Sequence, residues 1–312
     1  PPRADINVAI AAIDMWSQRA DAAIISIELP WDSLLAGVPA DSIVIRNLRD
    51  LAAYYRSKGH MLWVYLDPAN GLNRAGEADA LVNAGRSITE PAIQQLYRSF
   101  AVALDTLLWP EHFGLALETN LIRGISPQPL YDAIRQVAND AAADIRLYDA
   151  LVKLSVSVQV DYAWGRLDGS SFKGIDADII DFPFMEEIGL SSYPYLAGFS
   201  EPEDIPLDYY YALTQPYGLP AMVTEGGWTS KTLGSIASSP GKQRRYIQYQ
   251  QQLLDSVEAI AVFQLTFTDI DLASLPPNPT LELFAYLGLV DVNLVPKPAL
   301  TAWDAIFARP RL

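Results

Sequence analysis

The stretch Leu154-Ser155-Val156-Ser157-Val158-Gln159-Val160-Asp161 decides the fold class. Its apolar side chains alternate with small or polar ones, and it ends in a carboxylate. Because successive residues of a strand face opposite sides of the sheet, this alternation predicts a β-strand with one apolar and one polar face. We expect the apolar face to pack on helices and the polar face to line the inside of a barrel.

A similar alternation recurs along the chain, and helical patterns separate the strands. The residues Ser126-Pro127 predict an N-cap followed by proline at the first helical position, and Gly59 predicts a helix end. The further strands are predicted at Ala23–Glu28, Met61–Asp67, Gly114–Glu118, Gly189–Tyr193, Ala221–Glu225 and Ile260–Phe267. The helices are predicted at Ile6–Arg19, 44–55, Ala92–Leu108, Leu130–Ala142, Lys242–Val257 and Ala299–Phe307.

Strands that alternate with helices throughout the chain predict one α/β domain, residues 1–312, with a parallel sheet. The site of a (β/α)8 TIM barrel is built from the loops that follow its strands, so long loops at that end are typical of this fold. Seven strands are identified instead of eight, and we infer that the first strand lies upstream of Pro1. Irregular opening residues or a missed strand are the alternatives. The longer connections all follow strands: 68–90, 162–186, 194–206 and 268–297.

The composition excludes several classes of function. Lysine and arginine number 22 against 37 aspartate and glutamate residues, which gives a net charge of −15. This charge disfavours nucleic acid and anionic membranes and suits a neutral or cationic ligand. The apolar runs are far shorter than the roughly 20 residues that a membrane span needs. Because cysteine is absent, disulfide scaffolds, thiolate catalysis and cysteine zinc sites are excluded.

No cofactor is predicted. The two histidines, His60 and His112, come just before strands, at the end of the barrel opposite the expected site. A Ser-His-Asp triad and a histidine-ligated metal site are therefore not expected. Neither a Walker A motif nor a Gly-x-Gly-x-x-Gly motif is present, which argues against phosphate and dinucleotide chemistry. A magnesium ion held by carboxylates stays open, because hard cations accept oxygen ligands.

Acidic residues stand at the C-terminal ends of five predicted strands, on the inward-facing parity. One or two such acids would be expected as solvated strand ends in an acidic protein. Five on the same parity favour a pocket lined by carboxylates at the catalytic end of the barrel. These residues are Glu28, Asp67, Glu118, Asp161 and Glu225.

Aromatic residues follow several of the same strands and predict a rim around the pocket. Flat apolar rings combined with carboxylates suit a ligand that has apolar faces and many hydroxyl groups, and sugars fit that description. We therefore predict an oligosaccharide or polysaccharide as the ligand. The rim residues are Trp31, Trp164, Tyr193, Tyr195 and Trp228.

Glycoside hydrolysis needs two carboxyl groups, one to protonate the leaving oxygen and one to attack the anomeric carbon or to activate water. Placing them at the ends of rigid strands fixes their separation. Glu118 and Glu225 are the predicted pair. Asp67, Glu28 and Asp161 are predicted to contact the substrate nearby.

Three motifs resemble glycoside hydrolase clan A, the TIM-barrel retaining glycosidases that include endo-β-1,4-galactanases and plant-type β-1,3-glucanases. The stretch 221–228 (AMVTEGGW) looks like the clan's seventh-strand nucleophile motif, and 190–195 (LSSYPY) resembles its sixth-strand motif. The segment 288–303, with Asp291 and Trp303, resembles the usual closing segment of these barrels.

The resemblance implies roles for particular residues. Glu225 would be the nucleophile, Glu118 the acid/base, and Tyr193 the hydrogen-bond partner of the nucleophile. The clan usually has asparagine directly before the acid/base; here Leu117 stands there, and Asn120 is the candidate for the contact to the substrate 2-hydroxyl.

The resulting hypothesis is a monomeric glycoside hydrolase that cleaves a neutral β-linked glycan with retention, because an acidic site would repel uronate polymers. Its chemistry and the opening Pro1-Pro2, which is typical of a processed start, suggest a secreted or periplasmic protein. One alternative is a catalytically inactive carbohydrate-binding barrel. Another is a barrel of unrelated chemistry, assisted by a metal that carboxylates would hold.

Overall fold

The computed structural model describes residues 5–310, which contain seven β-strands that follow chain order in one sheet. Neighbouring strands are parallel where their register is defined. With helices between the strands, this is the predicted α/β, TIM-barrel-like fold. The residues Pro1-Pro2 lie outside the described part, and a strand upstream of Pro1 stays a prediction. The strands are β1 (Ala22–Glu28), β2 (Met61–Asp67), β3 (His112–Gly114), β4 (Lys153–Gln159), β5 (Glu187–Ser192), β6 (Ala221–Gly226) and β7 (Ala261–Val262).

The described residues contain fourteen α-helices, and each of the six helices predicted from the sequence is present at least in part. None of those between residues 5 and 310 is long and apolar enough to cross a membrane. In order they are α1 (Ile6–Ser17), α2 (Trp31–Leu35), α3 (Ala40–Asn47), α4 (Arg49–Ser57), α5 (Asp79–Asn83), α6 (Pro91–Leu108), α7 (Thr119–Ile125), α8 (Gln128–Ile145), α9 (Val160–Ala163), α10 (Asp176–Asp181), α11 (Tyr211–Thr214), α12 (Pro240–Ser256), α13 (Pro279–Phe284) and α14 (Pro298–Phe307). Short 3-10 turns cover Pro194–Leu196, Pro202–Asp204, Gln215–Tyr217 and Leu272–Ser274.

Two details of the predicted helices are wrong. The pattern at 44–55 forms two helices, α3 and α4, which meet at Leu48, whose φ of −127° lies outside the helical range. Ser126 does not cap α8, because Pro127 occupies the N-cap position and the Ser126 hydroxyl donates to the Pro127 carbonyl. Gly59 follows the end of α4 with a φ of +86°, as its predicted role as a helix end requires.

The described residues fall into two compact units. We call residues 21–159 with 175–189 the Glu118 unit, and residues 5–20, 160–174 and 190–310 the Glu225 unit. A single domain over residues 1–312 stays a prediction.

The Glu118 unit contains β1 to β4, which pair in chain order. β1 and β2 pair over their full lengths, which sets Glu28 opposite Asp67 at the ends of the two strands. Tyr65, Gly114 and Ser155 occupy corresponding positions on β2, β3 and β4, and the Tyr65 hydroxyl lies 2.7 Å from Ser155 Oγ. Gly114 and Ser155 are small or polar residues on the face that the sequence predicts to be so.

Three strands end earlier than their apolar patterns predict. β3 ends at Gly114, although the Leu115 amide still donates to the Ser155 carbonyl (2.9 Å). Glu118 turns into a left-handed conformation, and α7 begins at the next residue. β4 ends at Gln159, and Asp161 lies in the short helix α9. β7 has only two residues, although the Phe263 amide still donates to the Val223 carbonyl (2.8 Å).

The Glu225 unit joins the two ends of the described chain. The Trp303 indole N–H donates to the Arg19 carbonyl (3.0 Å), and the Arg19 guanidinium pairs with Asp304 (2.7 Å). A buried ion pair between Lys297 Nζ and Asp269 Oδ1 (2.5 Å) anchors the segment that precedes α14. These contacts give the predicted closing segment, including Trp303, a structural role.

Candidate active site

Glu118 has an unusual backbone that its neighbours hold in place. Its φ and ψ of 50° and 43° lie in the left-handed region, which non-glycine residues rarely adopt. The Glu118 amide donates to Ser157 Oγ (2.9 Å) on β4. Strained backbone of this kind persists where the surroundings fix it, and it clusters at functional sites. The geometry therefore keeps Glu118 as a candidate for chemistry.

Thr119 and Asn120, the two residues after Glu118, form hydrogen bonds within the Glu118 unit. Thr119 Oγ1 donates to Asp178 Oδ1 (2.8 Å), which is fully buried. Asn120 Nδ2 donates to the Gln159 carbonyl (2.9 Å), and Asn120 Oδ1 accepts from the Gln159 amide (2.7 Å). Only 1 % of Asn120 is exposed. Its amide group is thus engaged with the backbone, and these contacts do not support the predicted bond to a substrate hydroxyl.

Arg74 is the site residue that the sequence analysis missed. Its Nε donates to Glu118 Oε2 (2.7 Å), and its Nη1 donates to Asp67 Oδ2 (2.5 Å). All three side chains are buried. The available signal was a single basic residue in the polar loop that follows β2, between Asp67 and Arg86. Sequence alone does not show that the loop folds back onto its own strand.

The loop that carries Arg74 is fixed by its own side chains. Asn70 Oδ1 accepts hydrogen bonds from the Leu72 and Asn73 amides (3.0 and 2.9 Å), and Asn70 Nδ2 donates to Asp79 Oδ1 (2.9 Å). Asparagine commonly closes turns in this way. This turn directs the following residues, including Arg74, toward the end of β2.

Burial and neighbouring charges shift the pKa values of the acidic residues around Arg74. Burial raises the pKa of Asp67, and the Arg74 guanidinium opposes that rise. Partial burial also raises the pKa of Glu28, and the carboxylates of Asp67 and Asp79 add to it. Arg74 also pairs with Glu118 (2.7 Å), the residue that is predicted to donate a proton to the leaving group.

Glu225 is the half-buried residue near the end of β6 in the Glu225 unit. Ser191 Oγ, on β5, donates to Glu225 Oε1 (2.9 Å). The next two residues must be small. A Cβ on Gly226 would lie 2.5 Å from the Ser192 carbonyl oxygen, and Gly227 has a φ of +146°. The Glu-Gly-Gly sequence therefore follows from the backbone geometry beside Glu225.

Asp161 has a structural environment. It is fully buried, its Oδ2 accepts from the Tyr193 amide (2.8 Å), and its Oδ1 accepts from the Tyr209 hydroxyl (2.6 Å). Burial and the Asp161 charge raise the pKa of Tyr209 well above its ordinary value. The predicted substrate contact of Asp161 is therefore not supported, because both oxygens accept bonds inside the Glu225 unit.

Most of the predicted aromatic rim is packed inside the protein. Trp31 and Trp228 are each 1 % exposed, and the Trp228 indole N–H donates to Ser238 Oγ (3.0 Å). The Tyr195 hydroxyl donates to the Leu283 carbonyl (2.8 Å). Trp31, Trp228 and Tyr195 are thus buried side chains, and their predicted contact with substrate is not supported by these positions. Tyr193 is buried as well.

Trp164 is the half-buried member of the predicted rim. Its ring stacks on Tyr209, with centroids 5.1 Å apart, and its indole N–H donates to the Tyr209 carbonyl (2.8 Å). The partly exposed ring leaves Trp164 as the aromatic candidate for ligand contact. Among residues 5–310, no three histidine or acidic side chains are arranged to hold a metal ion.

Among the comparisons with known proteins, the one with solved structures supports the fold. No family model and no curated protein matches the chain. Among solved structures, a β-glucuronidase from Ruminococcus gnavus in complex with D-glucuronic acid is similar with a TM-score of 0.61 at 14% identity, over 97% of this chain and 45% of that one. A β-D-glucuronidase of Dictyoglomus thermophilum gives a TM-score of 0.64 at 12% identity, over 98% of this chain and 48% of that one.

A third similar structure is the GH53 catalytic domain of Ignisphaera aggregans, with a TM-score of 0.61 at 17% identity, over 83% of this chain and 77% of that one. The chain spans about half the length of the β-glucuronidases. At these identities the likeness establishes the fold. The predicted kinship to galactanases or glucanases is not confirmed.

Proposed function

We propose that this chain is a glycoside hydrolase domain that cleaves a neutral β-linked glycan with retention of anomeric configuration. The observation that carries the proposal is the position of two glutamates on a barrel fold shared with glycosidases. Glu225 lies near the C-terminal end of β6, and Glu118 follows the C-terminal end of β3 in a constrained backbone. Active sites of such barrels are built at this end of the strands.

In this proposal the Glu225 carboxylate attacks the anomeric carbon, while Glu118 gives a proton to the departing oxygen. Glu118 then takes a proton from the water that hydrolyses the glycosyl-enzyme ester. Glu118 must therefore be protonated before the first step, although Arg74 pairs with its carboxylate. Loss of general acid assistance typically slows such reactions about 10²- to 10⁴-fold.

A neutral glycan suits the charge around Glu118. Asp67, Glu28 and Asp79 add three acidic groups to this region, against the single charge of Arg74. A uronate sugar would meet net repulsion there. The β-glucuronidases of similar fold make uronides the competing substrate class. An exported, monomeric protein is part of the proposal.

The experiment is a panel of neutral β-glycans and β-glucuronides, assayed for released reducing ends with wild type, Glu225→Gln and Glu118→Gln. Glu258→Gln is the matched control, because Glu258 is an exposed glutamate of the Glu225 unit. We expect hydrolysis of a neutral glycan by wild type and the control, and a loss of at least about 10²-fold in both site variants. NMR of the first product should show the β-anomer. Wild-type turnover by both site variants would refute the assignment.

A second candidate is a carbohydrate-binding barrel without catalysis. Two observations favour it: Arg74 pairs with the predicted acid, and Asn120 is occupied by backbone bonds. Calorimetry on the same panel separates the two candidates. Sugar binding without any released reducing ends would support the binding protein, whereas turnover would exclude it.

A further inference from the structure

The Asp67 side chain is held in place at the end of β2. It is paired in register with β1, and its Oδ1 accepts a hydrogen bond from the Ala69 amide (3.1 Å). Its other oxygen, Oδ2, accepts from Arg74. Strand and turn together leave this buried carboxylate little freedom, so a group bound to Asp67 is fixed in turn.

Arg74 uses two different nitrogens for its two carboxylates. Nη1 lies 2.5 Å from Asp67, and Nε lies 2.7 Å from Glu118. A guanidinium is planar and rigid, so the angle between these two donors is set by its chemistry. Lysine has one compact ammonium group and does not reproduce that arrangement.

Glu118 needs such a partner more than a typical strand residue does. Its backbone is fixed by the Ser157 contact, but its side chain has three rotatable bonds between the backbone and the carboxyl group. Catalytic groups must be held within fractions of an ångström of their productive position. The Arg74 contact supplies that constraint.

We propose that Arg74 is a positioning residue, which directs the Glu118 carboxyl group by bridging it to Asp67. The inference rests on the proposed function and adds a residue to it. Arg74 acts through Glu118 and does not itself enter the reaction. It follows that Arg74 controls turnover more than substrate affinity, and that its effect disappears when Glu118 is removed.

The test measures kcat and KM for Arg74→Ala and Arg74→Lys on a glycan that wild type hydrolyses. Because misplacement by about 1 Å can cost about 10²-fold, we expect kcat to fall by about 10- to 100-fold for Arg74→Ala, with KM changed less than about threefold. Arg86→Gln is the control, because Arg86 forms an exposed pair with Glu90 in the same loop region. If Arg74→Ala does not fold, Arg74→Lys is measured in its place, with a smaller loss expected.

Combination with Glu118→Gln separates positioning from a general structural role. In the Glu118→Gln background, the Arg74 substitution should leave the residual kcat unchanged. A further loss there, or wild-type kcat in a folded Arg74 variant, would overturn the inference. Millimolar guanidinium should restore part of the Arg74→Ala rate.

A failure of the proposed function is distinguishable from a failure of the Arg74 inference, because in the first case wild type hydrolyses no glycan in the panel. In that case thermal unfolding of Arg74→Lys, Glu118→Gln and the double variant tests the bridge. Non-additive shifts in Tm would support coupling of the two side chains. Additive shifts would overturn the inference.

Discussion

Tyr65 on β2 fills the space that Gly114 leaves open on β3. The two residues are in register, and a Cβ on Gly114 would overlap the Tyr65 ring. The ring reaches past β3, and its hydroxyl lies 2.7 Å from Ser155 Oγ on β4. This packing couples three strands of the Glu118 unit through one large and one absent side chain.

Gly114→Ala should therefore destabilise the protein by about 1–3 kcal/mol, the usual cost of overpacking a filled core. The measurement is the free energy of unfolding from urea denaturation. Gly241→Ala is the matched control, because a Cβ there would meet Ser239 Oγ at an ordinary 3.7 Å. Equal stability of wild type and Gly114→Ala would mean that the ring is free to move aside.

Arg74→Gln should lower stability by about 3–5 kcal/mol at neutral pH, because two buried carboxylates lose their shared cation. The pKa of Asp67 is already raised by burial, and removing Arg74 raises it further. Its native state then holds a proton that the unfolded chain releases, so the variant loses stability as pH rises from about 4 toward neutrality. Denaturation curves at several pH values check this. A loss that is equal at all pH values would contradict it.

Asp105 should make stability depend on pH. This residue of α6 is fully buried, neither of its carboxylate oxygens has a hydrogen-bond partner among residues 5–310, and burial raises its pKa to about 7. The native state keeps the proton while the unfolded chain loses it near its ordinary value, so stability falls as pH rises through about 4 to 7. The full linkage for a shift of this size is about 4 kcal/mol.

Asp105→Asn removes that titration. The difference in unfolding free energy between Asp105→Asn and wild type should move in favour of the variant between about pH 5 and about pH 8. Asp132→Asn, on the neighbouring helix α8, is the control for a surface carboxylate. Parallel pH profiles of Asp105→Asn and wild type would show that Asp105 is ionised in the folded protein.

Asn120→Ala tests whether this residue supports the fold or contacts substrate. Loss of its two hydrogen bonds to the Gln159 backbone should cost about 2–3 kcal/mol. Thermal unfolding and KM should be measured on the same preparations. A raised KM with an unchanged Tm would restore the substrate role.

The strands differ in how closely the sequence predicted where they begin and end. β1, β2 and β6 were predicted almost to the residue, because their apolar runs end in an acid at the point where the strand ends. β3 was misplaced because its alternation continues to Glu118, while the backbone leaves the sheet after Gly114. Side-chain parity does not report the turn at Glu118, whose amide donates a hydrogen bond to Ser157 Oγ.

The side chains around the site were less predictable than the strands. Position after a strand does not tell whether a ring lies outside, as Trp164 partly does, or packs inside, as Trp228 does. The Arg74 contact to Glu118 joins residues 44 positions apart through a loop whose turn depends on Asn70. Such contacts follow from the path of the loop, which local sequence patterns do not encode.

The proposed nucleophile, Glu225, is tested by cleavage of an activated β-glycoside by Glu225→Ala with and without azide. We expect the rate to fall by at least about 10²-fold without azide. With azide we expect a recovered rate that yields an α-glycosyl azide. Wild-type hydrolysis by Glu225→Ala in the absence of azide would contradict it.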